Sequence, residues 1–180
     1  MKKYLLAASA AVSLCSAPLL AVDGTVNFTG KILASGCTLS SSGSQTQAVA
    51  LPEISKNAFV AADSTASEKP FTLTFTGCPS NQQAKITMKS ANIVSGKPTV
   101  LSNTAASGAT NVGIIVENTG SGGTTGGSKV EFNKFADAGS FTIGTSETGF
   151  SANYIARYYA LTATPGEGAV AATVTLEVSY

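Results

Sequence analysis

Histidine and tryptophan are absent from this 180-residue sequence. Without histidine there is no Ser-His-Asp triad and no Cys-His pair, and most catalytic zinc sites are excluded as well. Charge is scarce too: Asp, Glu, Lys and Arg make up 12% of the chain, about half the usual share. Arg157 is the sole arginine, and no function is assigned to it. The ten acidic residues are mostly far apart, so their spacing does not favour a pair of hydrolytic carboxylates. A near-neutral chain with scattered charges has no electrostatic reason to bind nucleic acid. Nothing in these residues points to an enzyme, a cofactor, a metal or a small-molecule substrate.

Long apolar runs are missing after the first twenty residues. The start of the chain reads as an address. Lys2 and Lys3 give a positive patch, an Ala- and Leu-rich run extends to Leu20, and Ala21 offers a small residue. That order describes a secretory signal peptide over residues 1–21, with a cut after Ala17 as the alternative. The run is too short and too interrupted, by Ser9, Ser13, Ser16 and Pro18, to span a membrane. Its removal leaves 159 residues and nine cationic against ten acidic side chains, the size of one domain. Cys15 leaves with it. In an exported chain the remaining pair, Cys37 and Cys78, is expected to form one disulfide; the other reading is two free buried thiols.

What remains is rich in Gly, Ala, Ser and Thr and reads as strand after strand. Phe71, Leu73 and Phe75 alternate with Thr72, Thr74 and Thr76, a half-buried strand. Ala84–Lys89 is a shorter one. Asn111–Asn118, "NVGIIVEN", is more apolar and is expected to be central. Lys129–Phe132 and Ser140–Ile143 are short candidates, and Tyr154–Ala163 and Ala171–Tyr180 are longer ones. In the last, Val174, Leu176, Val178 and Tyr180 share one side. Asn57–Ser67 is the only stretch suited to a helical turn. The stretch "GSGGTTGGSK", Gly120–Lys129, lacks the Gly-Lys-Ser/Thr ending of a phosphate-cradling loop and reads as a hairpin loop. Turn clusters at this spacing predict an all-β sandwich of two sheets, with the Cys37–Cys78 bridge joining neighbouring strands at one end.

The stretch "DGTVNFTGKILASGC", Asp23–Cys37, raises a separate question. Val26, Phe28, Gly30 and Ile32 alternate with Thr25, Asn27, Thr29 and Lys31, so this is a strand with one face to bury. It can pair within its own domain or outside it.

Together "GTVNFTGKILASGC", "PFTLTFTGC", "ARYYA" and "ATVTLEVSY" resemble the chaperone–usher pilins, and among them the type 1-like major shaft subunits. The resemblance covers the chain from Val22 to Tyr180. It implies an incomplete immunoglobulin-like sandwich that lacks its last strand and is completed by donor-strand complementation. Residues 22–32 would be a donor-strand extension and residues 33–180 the pilin domain. The row Val26, Phe28, Gly30 and Ile32 would then be buried in a neighbouring subunit, with Gly30 where the groove is narrow. Val174, Leu176, Val178 and Tyr180 would line the groove and pair with the strand of a periplasmic chaperone. Tyr180 departs from the family pattern, whose aromatic commonly stands next to last. Further implied partners are other pilin subunits, in a homopolymer, and an outer-membrane usher. The product would be a fimbrium on the bacterial surface, exported through the periplasm and supporting adhesion. The alternatives are a minor or adaptor pilus subunit, and a self-complete secreted sandwich that binds carbohydrate. The lack of tryptophan, and tyrosines concentrated at Tyr154, Tyr158, Tyr159 and Tyr180 within expected strands, speak against the last.

Overall fold

A computed structural model describes residues 36–40, 45–120 and 127–180, together with Asn27 and Thr29. The chain separates into two units, Met1–Ile32 and Leu33–Tyr180; the fold that follows is that of the second. The expected donor row Val26, Phe28, Gly30 and Ile32 lies outside the described residues.

Nine strands are described: β1 (Thr38–Leu39), β2 (Thr65–Thr76), β3 (Gln82–Lys89), β4 (Leu101–Ser102), β5 (Val112–Gly120), β6 (Ser128–Lys129), β7 (Gly139–Ile143), β8 (Gly149–Ala160) and β9 (Thr175–Ser179). One sheet runs β1-β2-β8-β5-β4 with β6 also beside β5; the other runs β7-β3-β9. All the pairings are antiparallel. The helical turn expected in 57–67 is a single 3-10 turn, Lys56–Ala58, whose N-cap Ser55 accepts from the Asn57 N–H.

The core between the sheets is built from the alternating faces. Leu73 and Phe75 of β2, Ile86 and Met88 of β3, Ile114 and Val116 of β5, Phe141 and Ile143 of β7, and Ala152 and Tyr154 of β8 pack into one cluster. Tyr154 can be buried because its hydroxyl donates to the Ala138 carbonyl at 2.8 Å. Strand β5 departs from alternation: Val112 to Val116 are all buried. The larger sheet is covered on both faces there, since Ile115 and Tyr159 pack on the far side against Val100, with Val94 and Leu161 beside them. A strand buried on both faces needs a continuous apolar run, which is why "NVGIIVEN" sits inside the sheet.

The sulfurs of Cys37 and Cys78 are bonded. The bridge joins the start of β1 to the chain just beyond β2, whose register pairs Thr38 with Thr76 and Leu39 with Phe75. The expected pairing of neighbouring strands at one end of the sandwich is therefore present, although β1 begins after Cys37 instead of ending at it.

Several strand bounds differ from the periodicity reading, three of them for a visible physical reason. Strand β2 starts at Thr65, six residues before Phe71, running through Pro70. A proline is tolerated because β1 flanks only the far end of β2, and the register shifts between Ala66 and Lys69, where Ser67 has φ 59°. Strand β8 starts at Gly149, whose hypothetical Cβ would lie 2.3 Å from the Phe75 carbonyl oxygen; only glycine allows that approach. In Lys129–Phe132, pairing stops at Lys129, while Val130 and Phe132 turn into the core. Strands β5 and β6, on either side of the Gly-rich stretch, pair antiparallel, with Glu117 opposite Lys129 and Asn118 opposite Ser128; residues 121–126 lie outside the described ones.

Candidate functional site

Among the described residues, strand β9 has a neighbour on one side only. Its register with β3 runs from Lys89–Thr175 to Lys85–Ser179, and β9 ends the order of its sheet. In an antiparallel ladder alternate residues direct N–H and C=O away from the partner, so β9 presents an unpaired backbone edge. Strand β1 ends the other sheet. The Ser40 N–H donates to the Thr74 carbonyl at 2.7 Å. Thr38, two residues earlier in the same register, therefore faces β2, and the backbone groups of Cys37 and Leu39 face the opposite edge.

Between these two edges lies a groove of about 710 Å³. One wall is β9 with the preceding Ala172–Val174; the other is Gly36–Leu39 with the non-strand segment Gln45–Leu51. The floor is core: Leu73, Phe75, Met88, Ile114 and Val116. Among the described residues, no charged side chain lines it. The apolar residues along its walls, Leu39, Val49, Leu51, Val174, Leu176 and Val178, are only half-buried. Tyr180 stands at one end, 40% exposed. A groove of this kind, with unpaired edges and an open apolar interior, is a template for a further strand.

The sequence-read row Val174, Leu176, Val178 and Tyr180 thus comes together on one wall. Regular pairing covers only Thr175–Ser179 of the expected Ala171–Tyr180, because β3 offers partners only as far as Lys89; Thr173 is held instead by the Ser90 hydroxyl, which donates to its carbonyl at 3.0 Å. The opposite wall, Gln45–Leu51, carried no period-two signal, and sequence reasoning missed it. Its apolar residues Val49 and Leu51 are the only cue, and they are too few to show a periodicity.

Two charged clusters lie on the far face of the larger sheet. Arg157 sits between Glu68 (Nη2 to Oε2, 2.7 Å) and Glu117 (Nε to Oε2, 3.0 Å), so the lone arginine ties β2, β8 and β5 together. Lys97 and the Tyr159 hydroxyl both donate to Asp63, at 2.8 and 2.9 Å. Those hydrogen bonds hold the Asp63 carboxyl below its ordinary range.

With this geometry in view, the relatives are informative. A fimbrial protein family model matches residues 26–180. The chain belongs to the fimbrial protein family. It is 33% identical over 172 residues to the major fimbrial subunit SMF-1 of Stenotrophomonas maltophilia, covering 93% of this chain and 96% of that one. It is 36% identical over 169 residues to the minor fimbrial subunit HifD of Haemophilus influenzae, covering 91% and 76%. Among solved structures it is similar to the P pilus rod subunit PapA, with a TM-score of 0.61 at 19% identity over 81% of this chain and 99% of that one. It is also similar to the Burkholderia pseudomallei type I fimbria protein BPSL1626, with a TM-score of 0.55 at 25% identity over 87% and 97%. The resemblance to chaperone–usher pilins drawn from the sequence is borne out, and the fimbrial chain is a structural pilus subunit with their immunoglobulin-like fold.

Proposed function

We propose that this fimbrial subunit polymerises by donor-strand exchange, and that the groove between β1 and β9 is where it receives the strand. The observation that carries this is the half-buried row Val174, Leu176 and Val178 beside the unpaired edge of β9. The incoming strand is residues 22–32 of a neighbouring copy, whose Val26, Phe28 and Ile32 fill the groove while Gly30 passes its narrowest part. Strand addition of this type takes affinity from backbone hydrogen bonds and register from alternate side chains. Three large side chains, each contributing roughly 1.5–3 kcal/mol when fully buried, make the filled state strongly preferred over the empty one.

Export follows from the same reading. Residues 1–21 direct the chain to the periplasm. A chaperone strand occupies the groove there, pairing along Val174, Leu176, Val178 and Tyr180, until the usher exchanges it for the next subunit. The product is a fimbrium on the cell surface that supports adhesion. The role is architectural, without catalysis. We assign the chain to the shaft; similarity to a minor subunit, HifD, favours the adaptor role as the second reading. Abundance in sheared fibres separates the two: a shaft subunit dominates, and an adaptor is a trace component.

The deciding experiment deletes Val22–Thr29. The truncated subunit is expected to bind the chaperone and to be absent from fibres. Normal incorporation of the truncated chain would overturn the donor role.

A further inference from the structure

The end of the groove beside the disulfide is bridged. Tyr180 has the same parity as Val174, Leu176 and Val178, so its ring lies on the inner side of the β9 wall. Its hydroxyl reaches the other wall and accepts a hydrogen bond from the Cys37 N–H. Gly36 lies beside the phenol: a Cβ there would meet the hydroxyl oxygen at 3.6 Å, an ordinary van der Waals contact. Cys37 is itself fixed by its bond to Cys78. One phenol therefore joins the free ends of both sheets.

The bonded group matters because of where it points. The Thr74–Ser40 hydrogen bond sets the phase of β1, so the Cys37 N–H belongs to the edge that faces the groove. That N–H is among those a strand laid along β1 would pair with. In the empty subunit a side chain fills it instead.

We propose that Tyr180 is a latch on the groove, its hydroxyl holding the Cys37 N–H until the carbonyl of an entering strand takes that hydrogen bond over. The latch rests on the reading of the groove as a strand acceptor. It keeps the walls together and one edge donor satisfied while the groove is empty, and its release is part of strand entry. Net hydrogen bonds are small because one partner replaces another, so the latch tunes the exchange without blocking it.

The test compares wild type with Tyr180→Phe, which keeps the ring and removes the hydroxyl. Both chains are refolded by dilution with the disulfide intact and mixed with a fluorescent peptide of residues 22–32; anisotropy reads uptake. The expected result is uptake roughly two- to tenfold faster in Tyr180→Phe, the range a single net hydrogen bond spans. Equal or slower uptake by the variant overturns the latch and leaves the groove reading standing. No uptake by either chain overturns both. Amide hydrogen exchange gives a second measurement that needs no variant. In the empty wild-type chain the Cys37 amide is expected to be better protected than the Leu39 amide on the same edge, and equal protection overturns the latch.

Discussion

Met88 and Leu176 stand opposite each other across the β3–β9 ladder, yet Met88 is 1% exposed and Leu176 is only half-buried. They share a face and a register. They differ because Met88 is flanked on its other side as well, where the Asn133 N–H donates to its carbonyl at 2.9 Å, while β9 borders the groove.

The two positions therefore respond differently to truncation. Met88→Ala is expected to destabilise the subunit by about 2–4 kcal/mol whether the groove is empty or filled, the ordinary result of opening a cavity in a packed core. Leu176→Ala is expected to cost under about 1 kcal/mol in the empty subunit and about 2–3 kcal/mol once a donor peptide covers it. Denaturant unfolding with and without the peptide of residues 22–32 measures both. An equal loss in the two states at Leu176 would mean that the groove is not where the strand binds.

Gly30→Leu separates assembly from folding. The donor segment contributes to a neighbour's core under the proposed function, so the variant should unfold at the same denaturant concentration as wild type in complex with the chaperone. It should fail to enter fibres, as read by electron microscopy and sedimentation of sheared material.

The Cys37–Cys78 bond closes a loop with a sequence separation of 41. Chain entropy alone assigns such a loop roughly 4 kcal/mol. Replacing both cysteines by alanine is expected to lower stability by about that amount. It should also loosen the groove, because β1 is two residues long and has little else to hold it against β2. Unfolding of the variant alongside reduced and oxidised wild type checks this.

Arg157 is a test of position within a charge cluster. The Glu117 side chain is 13% exposed and that of Glu68 is 49% exposed. Glu68→Gln is expected to change stability by under about 0.5 kcal/mol, as for exposed pairs. Arg157→Ala, which leaves the Glu117 carboxylate without its ion-pair partner, should cost roughly 1–3 kcal/mol. Thermal unfolding of the two variants ranks them.

Tyr154 sets an alkaline limit. Burial pushes its phenol well above the ordinary tyrosine range, so the folded chain keeps a proton that the unfolded chain loses above a pH of about 10. Stability is therefore full below that pH and falls as pH rises through it. Tyr154→Phe should flatten the fall between pH 10 and the folded-state value, as read by guanidinium midpoints at stepped pH, while lowering stability at neutral pH through loss of the bond to Ala138.

Alternation alone was enough to identify most of the sheet-forming segments, because a strand with one buried face must repeat every two residues; Phe71–Phe75 and Leu176–Val178 announce themselves in that way. The cysteine count favoured the bridge once Cys15 was assigned to the expected signal peptide, and the bonded sulfurs of Cys37 and Cys78 decide it against two free thiols. Periodicity could not show that β2 extends back through Pro70, that Val130 and Phe132 leave their strand for the core, or that the unpatterned stretch Gln45–Leu51 forms a wall. Each of those depends on which neighbour a segment meets, and neighbours are set by long-range pairing. The groove is the clearest case. Residue pattern established that Val174, Leu176 and Val178 seek burial, but only the tertiary arrangement decided that one side of β9 has no partner strand among the described residues, since an unpaired edge is a property of two sheets brought together and of no single strand.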